Sequence, residues 1–320
     1  MVDLYSKVKE AAEKVRPFVR RTFVAESSYL GVSSGSSVFY KLENLQITGS
    51  FKPRGVFSKL LSMDESGRAV GLVTASTGNH GAAFAYAVSR LGLNGTVFVP
   101  KGSDPSKVKL IERFGGDVRF HGEDAVEAER YAAEYAASKG MIYLSPYNDL
   151  DVIAGHGTIA LELLEQVERL DAIFVALGSG GLISGIAGYA KGVNPDIEIV
   201  GCSPANSPVM MRSIEAGRIV DVPTKPTLSD GTAGGIEEDA VTFGLCRDLV
   251  DRFVTVSEEE IAAGIRTFLE REHLLIEGAA AVPIMSFVKL RDEYRSKHVA
   301  IIVCGANIAY ETLRRVICKG

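Results

Sequence analysis

The segment Gly178-Ser179-Gly180-Gly181-Leu182 stands directly after the apolar run 173–177 and directly before a helical pattern. Glycines there let successive backbone N–H groups turn toward one point, and a helix N-terminus adds partial positive charge. The loop can therefore form an anion nest, most naturally for a phosphate. A tight strand-to-helix turn, with glycines for close packing, reads equally well. The segment is not a dinucleotide fingerprint, which needs glycine where Ile183 stands, nor a Walker loop, since no Gly-Lys-Ser/Thr follows. A second loop, Ser76-Thr77-Gly78-Asn79-His80-Gly81, holds the same place after the run 69–74. Its hydroxyls, amide and N–H groups suit a carboxylate or a polar ring substituent, with a well-capped helix start as the plainer alternative. Third is Lys52, set between Phe51 and Pro53 at a helix start. Most lysines are solvated surface charges. One withdrawn from water beside a positive helix end would have the lowered pKa that a Schiff-base or general-base lysine requires.

The elements that must hold these loops are short apolar runs alternating with helical patterns. Strands are predicted at 38–42, 69–74, 96–99, 117–120, 141–144, 172–176, 197–202 and 299–303. Helix signals fall between them. Pro105 follows Ser103 and Asp104 as a first-turn proline, the run 123–139 stops at Gly140, and Ser257 with Glu260 forms a capping box that Val256 and Ile261 could staple. Alternation on this scale predicts an α/β protein with parallel sheets covered on both faces. The length of 320 residues and a seam at 146–151 favour two such sheets over one. Ligands of such folds lie beyond the C-terminal ends of the strands, where the glycine loop and the 76–81 loop fall.

Charge and composition exclude several classes. Thirty-five Lys and Arg against 40 Asp and Glu give a net charge of −5, interspersed along the chain, so no nucleic-acid partner is expected. Cys202, Cys246, Cys304 and Cys318 show no C-x-x-C spacing, and the five histidines include no i, i+4 pair. Neither a disulfide framework nor a zinc site is indicated. Residues 1–21 carry charges throughout, which predicts an amphipathic helix and not a secretory signal. Residues 172–190 are nineteen without a charge, long enough to span a bilayer, but five glycines and two serines split them into strand, loop and helix start. No membrane segment and a cytoplasmic location are expected. Three motif matches lack their context: G-x-S-x-G at 31–35 precedes a strand instead of following one, S-x-x-K at 106–109 has no companion motifs, and the sequon at Asn94 has no secretory route.

Taken together, five segments resemble the fold-type II pyridoxal phosphate enzymes, and within them the threonine/serine dehydratase and serine racemase branch. They are KLENLQITGSFKPRG around Lys52, STGNHG at 76–81, GSGGLISGIA at 178–187, IEGAAAV at 276–282 and VCGAN at 303–307. Their order and spacing match over nearly the whole chain. The histidine of GNHG points to the dehydratase branch, because cysteine synthase and threonine synthase relatives more often carry threonine there. The resemblance implies a tryptophan synthase β-like fold with the cofactor between two parallel-sheet-based domains. These would be a large cofactor-binding domain, 1–49 plus 149–320, and a small mobile domain, 50–148.

It also implies roles. Lys52 would form the Schiff base with pyridoxal 5′-phosphate and later shuttle the substrate's Cα proton, with Phe51 packed near the ring. Asn79 would hydrogen-bond the ring's phenolic oxygen. Ser76, Thr77, Gly78, Asn79 and His80 would form the substrate-carboxylate loop, Ser76 and Thr77 being counted with Lys52 as catalytic. Gly178, Ser179, Gly180, Gly181 and Leu182 would bind the 5′-phosphate, and Cys304 would face the pyridine nitrogen. Glu277 lies in a segment that lines the site in relatives. The implied reaction is β-elimination from a β-hydroxy amino acid such as threonine or serine, giving a 2-oxo acid and ammonia. Amino-acid racemisation of the serine or aspartate type and hydroxyaspartate dehydration are the alternatives; a β-replacement synthase or a non-enzymatic nucleotide-binding module stand further off. The departures are Ser179 in a loop usually of four glycines, Thr77 where racemases carry serine, and Ser203 and Val209 where racemase-like relatives place cation-binding carboxylates. No metal is expected. A homo-oligomer, dimer or tetramer, is expected, without a C-terminal regulatory domain.

Overall fold

The structure, a computed structural model, describes residues 2–318. Among these residues ten strands appear in chain order: β1 (Val24–Glu26), β2 (Ser37–Lys41), β3 (Leu72–Ala75), β4 (Gly95–Val99), β5 (Asp117–Phe120), β6 (Ile142–Tyr143), β7 (Ala172–Ala176), β8 (Glu198–Pro204), β9 (Arg252–Val256) and β10 (His298–Ile302). They make two sheets. One has six strands in the order β1-β2-β10-β7-β8-β9, the other four in the order β5-β4-β3-β6. Every pairing is parallel except that of the edge strand β1 with β2. The protein is thus α/β, with two sheets of parallel type.

Burial explains why the central strands read as continuous apolar runs. All five residues of β7 are buried, as helices cover both faces of a parallel sheet. The uncharged stretch 172–190 resolves into β7, a glycine turn and the helix Gly181–Val193. Among the described residues no helix is long and apolar enough to cross a membrane. The capping signals act as read: Asp104 caps the helix Pro105–Arg113, Gly140 ends Ala125–Lys139 in the left-handed region, and Ser257 and Glu260 bond reciprocally above buried Val256 and Ile261.

Two strands escape the sequence pattern. β1 has only three residues, too few to show a period, and β9 is an edge strand whose residues are mostly half-buried. β3 also starts later than expected, because Asp64 caps a short helix Glu65–Ala69 and Gly71 turns the chain at φ 91° before Leu72. The G-x-S-x-G match lies in the helix Ser28–Ser34, with Gly35 as its left-handed cap, so Ser33 is no nucleophile elbow.

One contact fixes the backbone on which Lys52 stands. The chain leaving β10 pairs with the segment before this lysine: Phe51 N donates to Cys304 O (3.1 Å), Ala306 N donates to Gly49 O (2.8 Å), and Ser50 bridges Gly305. Two residues beyond Lys52, the fully buried Arg54 anchors the first turn of the helix Pro53–Ser62. Its guanidinium grips both oxygens of buried Glu43 (2.8 Å each) and both of Glu162 (2.7 and 2.8 Å), and Lys41 completes the cluster on Glu162 at 2.7 Å. Two cations thus meet two anions away from water. Removing one partner leaves an uncompensated buried charge, so Arg54→Ala is expected to lower the unfolding free energy by about 3–5 kcal/mol. Urea denaturation checks this; a loss no larger than that of Arg212→Ala, from the exposed Arg212–Glu215 pair, would sink it.

Candidate active site

A cleft of about 390 Å³ opens at the C-terminal ends of the strands of both sheets. The thirteen residues predicted for the site all line it: Phe51 and Lys52, the loop 76–80, the turn 178–182, and Cys304. They arrive from four separate stretches of chain.

The three glycines of the turn after β7 stand where a side chain would not fit. Gly180 adopts φ 90°, and a Cβ there would come within 2.7 Å of Cys246 Sγ. A Cβ at Gly178 would meet Thr232 backbone at 2.8 Å, and one at Gly181 would meet Tyr147 at 2.9 Å. The first N–H groups of the helix Gly181–Val193 have no intrahelical acceptor. What remains is a close-walled cradle of backbone donors at a helix N-terminus, which fits a phosphate.

Lys52 occupies the N-cap position of the helix Pro53–Ser62. Its Nζ donates to Pro146 O at 3.0 Å and lies 5.2 Å from the centre of the Phe51 ring. Burial pushes its pKa down to about 8, against the opposing pull of the Glu277 carboxylate. A neutral amine is therefore accessible near neutral pH. Cys304, 2% exposed, is driven well above the ordinary thiol range by burial and then by Glu277, so it remains a neutral thiol. That suits an uncharged ring nitrogen and not a pyridinium. Phe51 stacks edge-on against His156 at 4.7 Å, which sets the ring beside the lysine.

The 76–80 loop turns from β3 into the helix Asn79–Leu91. Asn79 Nδ2 donates to both oxygens of Glu277 (2.9 and 3.1 Å), and Asn79 Oδ1 accepts from Asn307 Nδ2 at 2.6 Å. His80 faces backwards from the loop: its Nε2 contacts Thr74 Oγ1 (3.0 Å) and Leu144 O (3.4 Å), and burial holds its pKa down to about 3, so the ring is neutral.

Sequence reasoning did not assign several residues that the fold brings here. Glu277 is 3% exposed, and burial with nearby Asp230 raises its pKa to about 7 although Asn79, the Asn307 N–H and Lys107 oppose the rise. Asn307 reaches it through that N–H at 3.0 Å. Both lie in the segments IEGAAAV and VCGAN; the resemblance places Glu277 near the site without a definite role and Asn307 only as part of the pattern. Lys107 and Tyr147 had no local signal, whereas Asp230 lies in the segment 227–235, which resembles the family's A-D-G loop expected to meet the substrate side chain. At the mouth Lys107 pairs with Asp230, Tyr147 Oη accepts from Glu237 N at 2.9 Å, and Asn148 Nδ2 donates to Glu237 at 2.6 Å.

Residues 15–305 match the family model described as pyridoxal-phosphate dependent enzyme. The chain is 38% identical over 317 residues to an L-threonine ammonia-lyase of Geobacter sulfurreducens, covering 99% of this chain and 78% of that one. It is 36% identical over 307 residues to an L-threo-3-hydroxyaspartate ammonia-lyase of a Pseudomonas species, covering 96% of each. Among solved structures, maize serine racemase superposes with a TM-score of 0.91 at 30% identity, covering 98% of this chain and 97% of that one. With a lysine amine, a neutral thiol and a phosphate cradle facing one cleft, the chain belongs to the pyridoxal-phosphate dependent enzymes.

Proposed function

We propose that the protein is an ammonia-lyase that eliminates water from a β-hydroxy amino acid, threonine or serine; the enamine product tautomerises to an imine, which a water molecule hydrolyses to a 2-oxo acid and ammonia. The observation that carries this reading is Lys52: a single amine withdrawn from water, at a helix N-terminus, across the cleft from a backbone phosphate cradle. Pyridoxal phosphate, when bound, supplies a conjugated sink for the electrons left behind when a proton departs the substrate's α-carbon. Lys52 is the residue to hold its aldehyde carbon, and the 178–182 turn to hold its phosphate. Lys52 Nζ, as a neutral amine held close to the substrate, would take the Cα proton, and the resulting ammonium would give that proton to the β-hydroxyl, which leaves as water. The N–H groups and hydroxyls of Ser76, Thr77 and Gly78 orient the carboxylate. Cys304, as an uncharged partner of the ring nitrogen, keeps the sink moderate, which favours loss of a β-substituent over a long-lived carbanion. Asn79 directs an N–H at the ring's phenolic oxygen. The His80 ring, backward-facing and neutral, takes no part in carboxylate binding, which leaves that residue only its backbone N–H.

Racemisation is the second reading, favoured by one feature: Thr77, a cleft residue, retains a hydroxyl that could serve the opposite face of Cα. We read residues 50–148 as a small domain that closes on 1–49 plus 149–320, on the support of the Lys107–Asp230 and Asn148–Glu237 contacts across the mouth. A homo-oligomer is part of the same reading, and a cytoplasmic setting is supported by four free cysteines among the described residues.

Purified holoenzyme is expected to form 2-oxo acids from L-threonine and L-serine faster than it inverts either, with Lys52→Ala lowering turnover by about a thousandfold or more. Oxo-acid formation and optical rotation followed in one screen decide; inversion outpacing elimination would make it a racemase. Cofactor capture tests the lysine separately. Only the neutral amine attacks an aldehyde, so uptake of pyridoxal phosphate by cofactor-free protein should speed up about tenfold per pH unit below about 8 and level off above it. Stopped-flow absorbance reads this, and a rise continuing to pH about 10 would mean an ordinary solvated lysine.

A further inference from the structure

The Asn79 amide can be placed in two ways that differ by exchanging its oxygen and nitrogen, and the surrounding hydrogen bonds choose between them. Its Nδ2 lies 2.9 and 3.1 Å from the two Glu277 oxygens, and its Oδ1 lies 2.6 Å from Asn307 Nδ2. Exchanging them would set an amide oxygen against a carboxylate and one NH2 group against another, losing both contacts and adding repulsion. The neighbours are themselves committed. Asn307 Nδ2 also donates to Thr48 O at 2.8 Å, and Asn307 N donates to Glu277 Oε2 at 3.0 Å, so neither can turn without breaking a second bond. The two oxygens of one carboxylate sit too close together to take both diverging hydrogens of a single NH2 group. One N–H is therefore shared by Glu277, and the other is left for the cleft that Asn79 lines.

We propose that Glu277 and Asn307 are positioning residues that lock the Asn79 amide with its N–H, never its oxygen, toward the bound cofactor. Glu277 caps no backbone group of the helix it precedes, so its carboxylate is available for this task. The lock also spans the two sheets' halves of the chain, since Asn79 follows β3 of the four-stranded sheet while Asn307 follows β10 of the six-stranded one. Each donor that the buried carboxylate takes thereby fixes an atom whose orientation the cofactor reads.

The proposal rests on the reading of Asn79 as a ring contact, and the experiment separates the two. The dissociation constant of pyridoxal 5′-phosphate and the visible absorption maximum of the bound form are measured for wild type, Glu277→Gln, Asn79→Ala and the double variant. Asn79→Ala is expected to weaken binding about ten- to hundredfold, the worth of one hydrogen bond to a charged group. Glu277→Gln should weaken it about as much and shift the maximum, and should add nothing in the Asn79→Ala background. Wild-type affinity and spectrum in Glu277→Gln, or an undiminished penalty in the double variant, would overturn the lock while sparing the ring contact. An unchanged constant in Asn79→Ala would remove the ring contact and the lock with it. Should Glu277→Gln fail to fold, Asn307→Ala removes the donor on Asn79 Oδ1 together with the bond to Thr48 O: a weakened affinity that vanishes in the Asn79→Ala background supports the lock, and an unchanged one overturns it.

Discussion

The site depends on the pairing of residues 49–51 with the chain that leaves the central strand β10. Lys52 carries a flexible side chain whose ammonium would gain most from reaching water. The bonds from Phe51 N to Cys304 O and from Ala306 N to Gly49 O fix its backbone against the floor of the cleft. The Arg54 cluster fixes the helix on its other side. With both flanks held, the side chain stays in the cleft and the cost of desolvation is sustained instead of relaxed. The same short bridge sets Cys304 and Glu277 near the amine, since a Cβ on Gly305 would come within 2.5 Å of the Glu277 carboxylate.

The sequence made legible those parts whose chemistry is local. A glycine turn between an apolar run and a helix needs only neighbouring residues to be recognised, and so does the Asp104–Pro105 helix start. Lys52 was legible through its segment, because no property of one lysine distinguishes it from a surface charge. What stayed hidden depends on register between distant elements. Lys107 meets Asp230 across 123 positions, and Arg54 meets Glu162 across 108; neither partner sits in a pattern that points at the other. Glu277 and Asn307 are intermediate cases. Their segments were visible, but the lock on Asn79 needs the two sheets brought together. The strands β1 and β9 were missed for a related reason: at a sheet edge burial is partial, and the apolar periodicity that marks a strand fades.

Desolvation acts on every titratable group of the cleft floor in the same sense, toward neutrality. It lowers Lys52 and His80 and raises Glu277 and Cys304. The only other lysine or arginine among the described cleft-lining residues, Lys107, is already paired with Asp230. An anionic ligand is therefore met chiefly by oriented backbone dipoles, at the 178–182 turn and at the start of the helix Asn79–Leu91. This arrangement has a physical advantage for an amine that must lose its proton. Dipoles confined to a glycine turn would hold a phosphate without reaching across the cleft, because their field falls off within the first helical turn. The anion can thus be bound at one end while the ring-facing groups at the other keep the protonation states that their burial sets.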